Sequence, residues 1–177
     1  GFAGIFFGFF YSSPPFRWVK RGLGELFIGF CYGWLPISTA YYIQTQNFSS
    51  IANWVSIPVA LTIFNVILLN EFPDLKADIE TGKRHLVARM GTSNAVYLYI
   101  IVVLLTWIFF VVSVFKGVPL RSLYFFVPVA LVSLYLIILL KKNAYLNKKK
   151  LELLCGLTIL INTGTTLAYI AGIATGF

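Results

Sequence analysis

The sequence predicts an all-α protein, a polytopic transmembrane helix bundle of about five full spans with a truncated helix in front of them. Three observations carry that expectation. Hydrophobic residues make up 59% of the 177 residues and charged residues 11%, with a mean hydropathy of +0.84, whereas a soluble domain of this size keeps far more charge in order to stay solvated. The apolar residues fall in continuous runs of about 20, the length at which a helix crosses a ~30 Å hydrocarbon layer. Those runs also lack the inside–outside alternation of an outer-membrane strand.

The opening Gly1–Phe10 is apolar from its first residue and lacks the positive flank and small-residue cleavage site of a signal peptide. It reads as the last turns of a helix whose start is missing. A polar stretch, Tyr11–Gly22, follows, and Pro14 and Pro15 prevent the helix from continuing through it. The first full span is expected at about Leu26–Ile43, with a kink at Pro36. An uncharged loop, Gln44–Asn53, leads to a second span at about Trp54–Leu69. The most polar segment, Asn70–His85, precedes a third span at about Ala95–Phe115. A short loop with Lys116, Pro119 and Arg121 leads to a fourth, Leu123–Leu140, and the basic run Lys141–Lys150 to a fifth, from Leu151 to the C-terminus. No internal repeat or linker divides residues 1–177, so a single domain is expected.

Net charge is +8, and in such a chain Lys and Arg set topology and attract anionic head groups or phosphorylated substrates. No nucleic-acid module is legible. Alternating threading puts every Lys and Arg except Lys116 and Arg121 on one membrane face, which the positive-inside rule makes cytoplasmic. The six acidic residues, Glu25, Glu71, Asp74, Asp78, Glu80 and Glu152, lie on that same face although topology does not require it. Cys31 and Cys155 sit in apolar runs and suggest neither a disulfide nor a metal pair. Gly164, Ala168, Gly172 and Gly176 form a small-residue stripe that lets a neighbouring helix approach closely. Tyr41, Tyr42, Trp18 and Trp54 are placed as interface-belt residues.

The chemistry-bearing pattern is Asn70, Asp74 and Asp78, spaced i, i+4, i+8. On a helix the three project to one side about 6 Å apart and offer hard oxygen ligands suited to Mg²⁺ and substrate phosphates. Pro73 is expected to kink the helix there. Beyond the flexible Gly82 come Lys83, Arg84 and His85, cations that would neutralise the rest of a metal–diphosphate complex, and Arg17, Lys20 and Arg21 could close on the same anion. The alternative reading makes these cations purely topogenic. Glu71 and Glu80 are expected off the aspartate face and solvated, and His85 is expected to be an interfacial polar residue.

Two segments together resemble the UbiA superfamily of membrane prenyltransferases. Tyr11–Glu25 is similar to the loop between that family's fourth and fifth helices, and Asn70–Gly91 to its second aspartate-rich motif with a Gly-Lys-x-x-Leu-x-x-Arg-x-Gly tail. The resemblance implies the second half of a nine-helix fold, without the family's first aspartate-rich motif, so that this stretch alone is expected to be inactive and a longer parent to be the enzyme. It implies Mg²⁺ and diphosphate held by Asn70, Asp74 and Asp78, phosphates steadied by Arg17, Lys20, Lys83 and Arg84, and Tyr11 facing an allylic carbocation. Pro15 stands where the family's Tyr-x-x-x-Lys pattern has its Lys, so Arg17 or Lys20 would substitute. The implied partners are a polyprenyl diphosphate, an aromatic acceptor and the lipid bilayer, with no nucleic acid. The tail is most similar to the dihydroxynaphthoate branch of menaquinone biosynthesis; hydroxybenzoate, homogentisate, chlorophyllide and glycerol-lipid acceptors use the same fold. A transporter subunit and a non-catalytic membrane fragment are the readings from other classes.

Overall fold

A chain in hydrocarbon must satisfy its backbone N–H and C=O groups internally, and a helix does this within each apolar run. The computed structural model of the protein describes residues 2–13 and 24–176, and every regular element among them is helical. In chain order these are α1 (Phe2–Ser12), α2 (Gly24–Gly29), a π-helical turn (Phe30–Trp34), α3 (Leu35–Thr45), α4 (Ser50–Glu80), α5 (Leu86–Phe115), α6 (Arg121–Lys141), a 3-10 turn (Ala144–Leu146) and α7 (Lys148–Gly176). Five segments are long and apolar enough to cross a membrane, the first being Gly24–Thr45 taken through its π turn. The protein is a multi-pass membrane protein.

Helix limits follow local chemistry. Ser49 Oγ accepts the Ala52 N–H at 3.2 Å and starts α4, and Asn147 Oδ1 accepts the Lys150 N–H in the first turn of α7. Pro36 occupies the first turn of α3, directly after the π turn, and a proline and a π turn are both places where helices bend. Pro73 lies inside α4, which continues through the whole aspartate row to Glu80. The sharp break in this region is instead at Gly91, whose φ of 78° and ψ of 159° interrupt α5.

The core is assembled from α4, α5, α6 and α7. At the aspartate end Leu68, Leu69, Val87, Leu136, Leu140 and Leu154 are buried together. Toward the other end Phe110 is stacked between Phe126 and Tyr169, with ring centroids 3.9 and 4.2 Å away. The small-residue stripe of α7 packs as expected: a Cβ on Gly172 would stand 2.6 Å from Ser122 Cβ, and one on Gly164 2.9 Å from Val129 Cγ2. Neutral polar groups join the helices inside the bundle. Tyr99 Oη and Thr158 Oγ1 are 3.0 Å apart, Trp107 Nε1 donates to Ser133 Oγ at 3.0 Å, and Asn162 Nδ2 donates to Thr62 Oγ1 at 2.9 Å. At the far end Lys116 lies over the Trp54 ring and the Arg121 guanidinium donates to the Thr175 carbonyl. Cys31 and Cys155 are free and half-buried.

Candidate functional site

The site is built where α4 ends and α5 begins. Because α4 stays helical to Glu80, Asn70, Asp74 and Asp78 share one face over two turns. Asn70 and Asp74 are exposed and Asp78 is half-buried. Lys83 returns across the connector and donates to Asp78 Oδ1 at 2.6 Å. That carboxylate holds the Lys83 ammonium above its usual pKa through the hydrogen bond, with Asp74 adding a smaller attraction. The turn between them needs a left-handed residue, and Gly82 supplies it at φ 74°. Arg84 is exposed, and its carbonyl accepts from Arg89 Nε at 2.9 Å. Arg17 and Lys20 lie outside the described residues, as does Arg21. Tyr11 belongs to α1, but its side chain lies outside the description.

Two expectations are corrected. Glu71 is not a solvated side chain: only 15% of it is exposed, and Oε2 lies 2.9 Å from His85 Nδ1 and 3.4 Å from the Val87 N–H that donates to it. One residue past Asn70 on the helix, it is rotated about 100° off the aspartate face and turns toward α5 instead of water. His85 is no interfacial residue either. It is 4% exposed and caps α5, Nδ1 accepting the Ala88 N–H at 3.3 Å. Burial pushes its pKa below the ordinary histidine value against the raising pull of Asp78 and Glu25, so the ring is neutral at pH 7. Nε2 lies 3.5 Å from Asp78 Oδ2 and has no hydrogen-bond partner. Glu80 is exposed, as expected.

Glu25 is the residue that the sequence pattern did not single out. It is 3% exposed, and Oε1 accepts the Leu86 N–H at 2.8 Å, tying α2 to the first turn of α5. An acid directly ahead of an apolar span was the one available signal, and it equally describes an ordinary interfacial charge.

Beside this cluster an apolar cavity of about 540 Å³ opens between α2, the π turn, α4 and α5, lined by residues including Leu26, Phe30, Trp34, Ala60, Phe64 and Val102. A Cβ on Gly33, at this seam, would stand 2.7 Å from Ala60 N, so the two segments meet only because glycine is there. Phe64 and Asn70 are six residues apart on α4, which places the cavity about 9 Å along the helix from the first ligand of the aspartate row.

The profile of the UbiA prenyltransferase family matches residues 1–160. The chain belongs to that family. This UbiA-family chain is 36% identical over 99 residues to UbiA prenyltransferase domain-containing protein 1 of Dictyostelium discoideum, covering 56% of the chain and 30% of that protein. It is 36% identical over 88 residues to the 2-carboxy-1,4-naphthoquinone phytyltransferase of a Synechocystis species, covering 50% of the chain and 29% of that enzyme. It is 31% identical over 98 residues to the 1,4-dihydroxy-2-naphthoate octaprenyltransferase of Bacillus subtilis, covering 55% and 32% respectively. These alignments span about a third of the length of the curated relatives. No solved structure matches the chain.

Proposed function

We propose that the protein carrying this chain transfers a polyprenyl group from a polyprenyl diphosphate to an aromatic acceptor, with Mg²⁺ at the aspartate row and dihydroxynaphthoate as the acceptor. The observation that carries this reading is the pairing of the aspartate row of α4 with the apolar cavity, whose lining residue Phe64 lies about 9 Å along the helix from Asn70 and about 15 Å from Asp74. Such a pair accommodates a molecule with a charged head and a long hydrocarbon tail. Two relatives whose names specify naphthoate or naphthoquinone acceptors support the acceptor class.

The residues fit a hard divalent cation, since Asn70 and Asp74 present oxygens to solvent and Asp78 keeps Oδ2 without a cationic partner while Lys83 holds Oδ1. Mg²⁺ bound there would neutralise charge on the departing diphosphate. Lys83 would exchange its Asp78 contact for a phosphate oxygen, and Arg84, exposed beside it, would add a second donor. Arg17 and Lys20 are assigned to the same phosphates, and Tyr11 to the carbocation. The allylic C–O bond breaks with both electrons leaving on the diphosphate. A carbon of the electron-rich ring then forms the new C–C bond and releases its proton to solvent, which restores aromaticity. The cavity excludes water from the cation while the ring reaches it. The aspartate-bearing face is assigned to the cytoplasm.

The test is prenyl transfer by the full-length protein in lipid, from radiolabelled polyprenyl diphosphate to a panel of aromatic acceptors with and without Mg²⁺. Mg²⁺-dependent product that disappears in both Asp74→Ala and Asp78→Ala is expected, with dihydroxynaphthoate the acceptor that responds. Undiminished transfer in both variants would remove the aspartates from the mechanism.

A further inference from the structure

Glu25, Glu71 and His85 converge at the N-terminus of α5 from three separate segments, with one potential ligand atom of each within 4.8 Å of the others. Their contacts call for one more positive charge, met by a proton held between Glu71 and Glu25 or by a cation. Glu25 Oε1 and Glu71 Oε2 accept the Leu86 and Val87 N–H groups. His85 Nδ1 accepts the Ala88 N–H, which leaves its lone pair unprotonated and puts the ring proton on Nε2. Yet Nδ1 stands 2.9 Å from Glu71 Oε2, acceptor against acceptor. Glu25 Oε2 is a third acceptor in the same place, enclosed and without a hydrogen-bond partner. Two carboxylates and a lone pair brought together out of water repel one another unless something positive lies between them. Lys83 is not that partner, because its ammonium is engaged by Asp78.

We infer that Glu25, Glu71 and His85 form a second metal site, separate from the aspartate row, that takes a divalent cation of the zinc class. One imidazole nitrogen with two carboxylates suits Zn²⁺ better than Mg²⁺, which prefers oxygen and water. Two ligands each about 2.1 Å from one tetrahedral ion stand about 3.4 Å apart. Nδ1 and Glu71 Oε2, now 2.9 Å apart, would separate slightly, and the ion would take the Nδ1 lone pair in place of the 3.3 Å Ala88 contact. The far side of the ring fits as well. Metal-bound histidines commonly turn their other N–H to a carboxylate, and Nε2 faces Asp78 Oδ2 at 3.5 Å. An ion there would pin α2, α4 and α5 together and fix the connector that carries Lys83. This site goes beyond prenyl transfer and does not depend on it.

Metal content tests the inference. The full-length protein, purified in detergent and stripped with chelator, is incubated with Zn²⁺ alone or Mg²⁺ alone, desalted and analysed by elemental mass spectrometry. About one Zn²⁺ per chain is expected, retained under excess Mg²⁺, and retained also by Asp74→Ala. Glu25→Gln, which keeps the side-chain shape and an acceptor for Leu86, and Glu71→Gln should each weaken Zn²⁺ binding at least about tenfold. Zn²⁺ should raise the unfolding midpoint of the wild type and leave that of Glu25→Gln in place. A wild type without stoichiometric Zn²⁺ would overturn the inference and leave a shared proton as the missing charge. Equal Zn²⁺ in wild type and both Gln variants would overturn it too, since the ion would then lie elsewhere. The readout is the ion, so a failed transfer assay and a failed metal site are told apart.

Discussion

Between α4 and α5 the charged side chains fold onto one another, while between α6 and α7 they stand in solvent. Both connectors lie at the same end of the bundle, because α5 crosses and α6 returns. In the first, Lys83 meets Asp78 at 2.6 Å, and Glu71 and His85 are turned inward to the α5 N-terminus. In the second, Lys141, Lys142, Lys148, Lys149 and Lys150 are all exposed, and among the described residues no ion pair joins them to an acid. The difference lies in what each segment has to pair with. Glu25, Glu71, Asp74 and Asp78 surround the first connector, whereas the second has Glu152 alone nearby in sequence. Charge count therefore says little about role, and burial with a partner says much.

That contrast can be broken by substitution. The largest expected effect is at Lys83. Replacing it by Gln should raise the KM for polyprenyl diphosphate by about tenfold to a hundredfold, the loss of one charge-assisted phosphate contact, in steady-state transfer assays of the full-length protein. An unchanged KM would place Lys83 with the topogenic lysines of the other connector.

The neutral α6–α7 seam should respond strongly in stability but not through charge. Gly172→Leu forces a side chain onto Ser122 and should cost about 1–3 kcal/mol, read as a lower unfolding midpoint in detergent. The same substitution at Gly156, where a Cβ meets nothing within 4 Å, serves as the control and should be near neutral. Smaller still is Tyr99→Phe, which removes the hydroxyl paired with Thr158 and should cost about 0.6 kcal/mol, the usual size of a hydrogen bond between membrane helices. The smallest effect belongs to the exposed lysines. Lys148→Gln, Lys149→Gln and Lys150→Gln combined should leave transfer unchanged and shift stability within about 0.5 kcal/mol, while weakening attraction to vesicles rich in anionic lipid. A large loss of transfer would mean that the second connector reaches the substrate.

Much of this was legible before folding. The apolar part of each span was legible, because a continuous apolar run of about 20 residues has only one structure open to it in a bilayer. Even so, α4 runs on past Leu69 to Glu80, and α5 starts before Ala95, at Leu86. The row of Asn70, Asp74 and Asp78 was legible because helical spacing alone aligns i, i+4 and i+8. The stripe on α7 could be read the same way, though its partner could not. What the local pattern misplaced were single residues whose surroundings come from elsewhere in the chain. Glu71 and His85 looked like solvated or interfacial groups and are turned into the protein.

The sequence by itself determined the class of this protein, the five membrane-length apolar helices among its described residues, the end that carries its carboxylates and the family it belongs to, since hydrophobic length, helical period and short motifs are local properties. Tertiary structure alone decided which of those carboxylates face water. Glu25 and Leu86 are 61 positions apart along the chain and 2.8 Å apart in space, and no periodicity in either segment encodes that meeting. Packing of α2 against the start of α5 brings a buried acid to open N–H groups, and the energy of that contact exists only once both helices are in place.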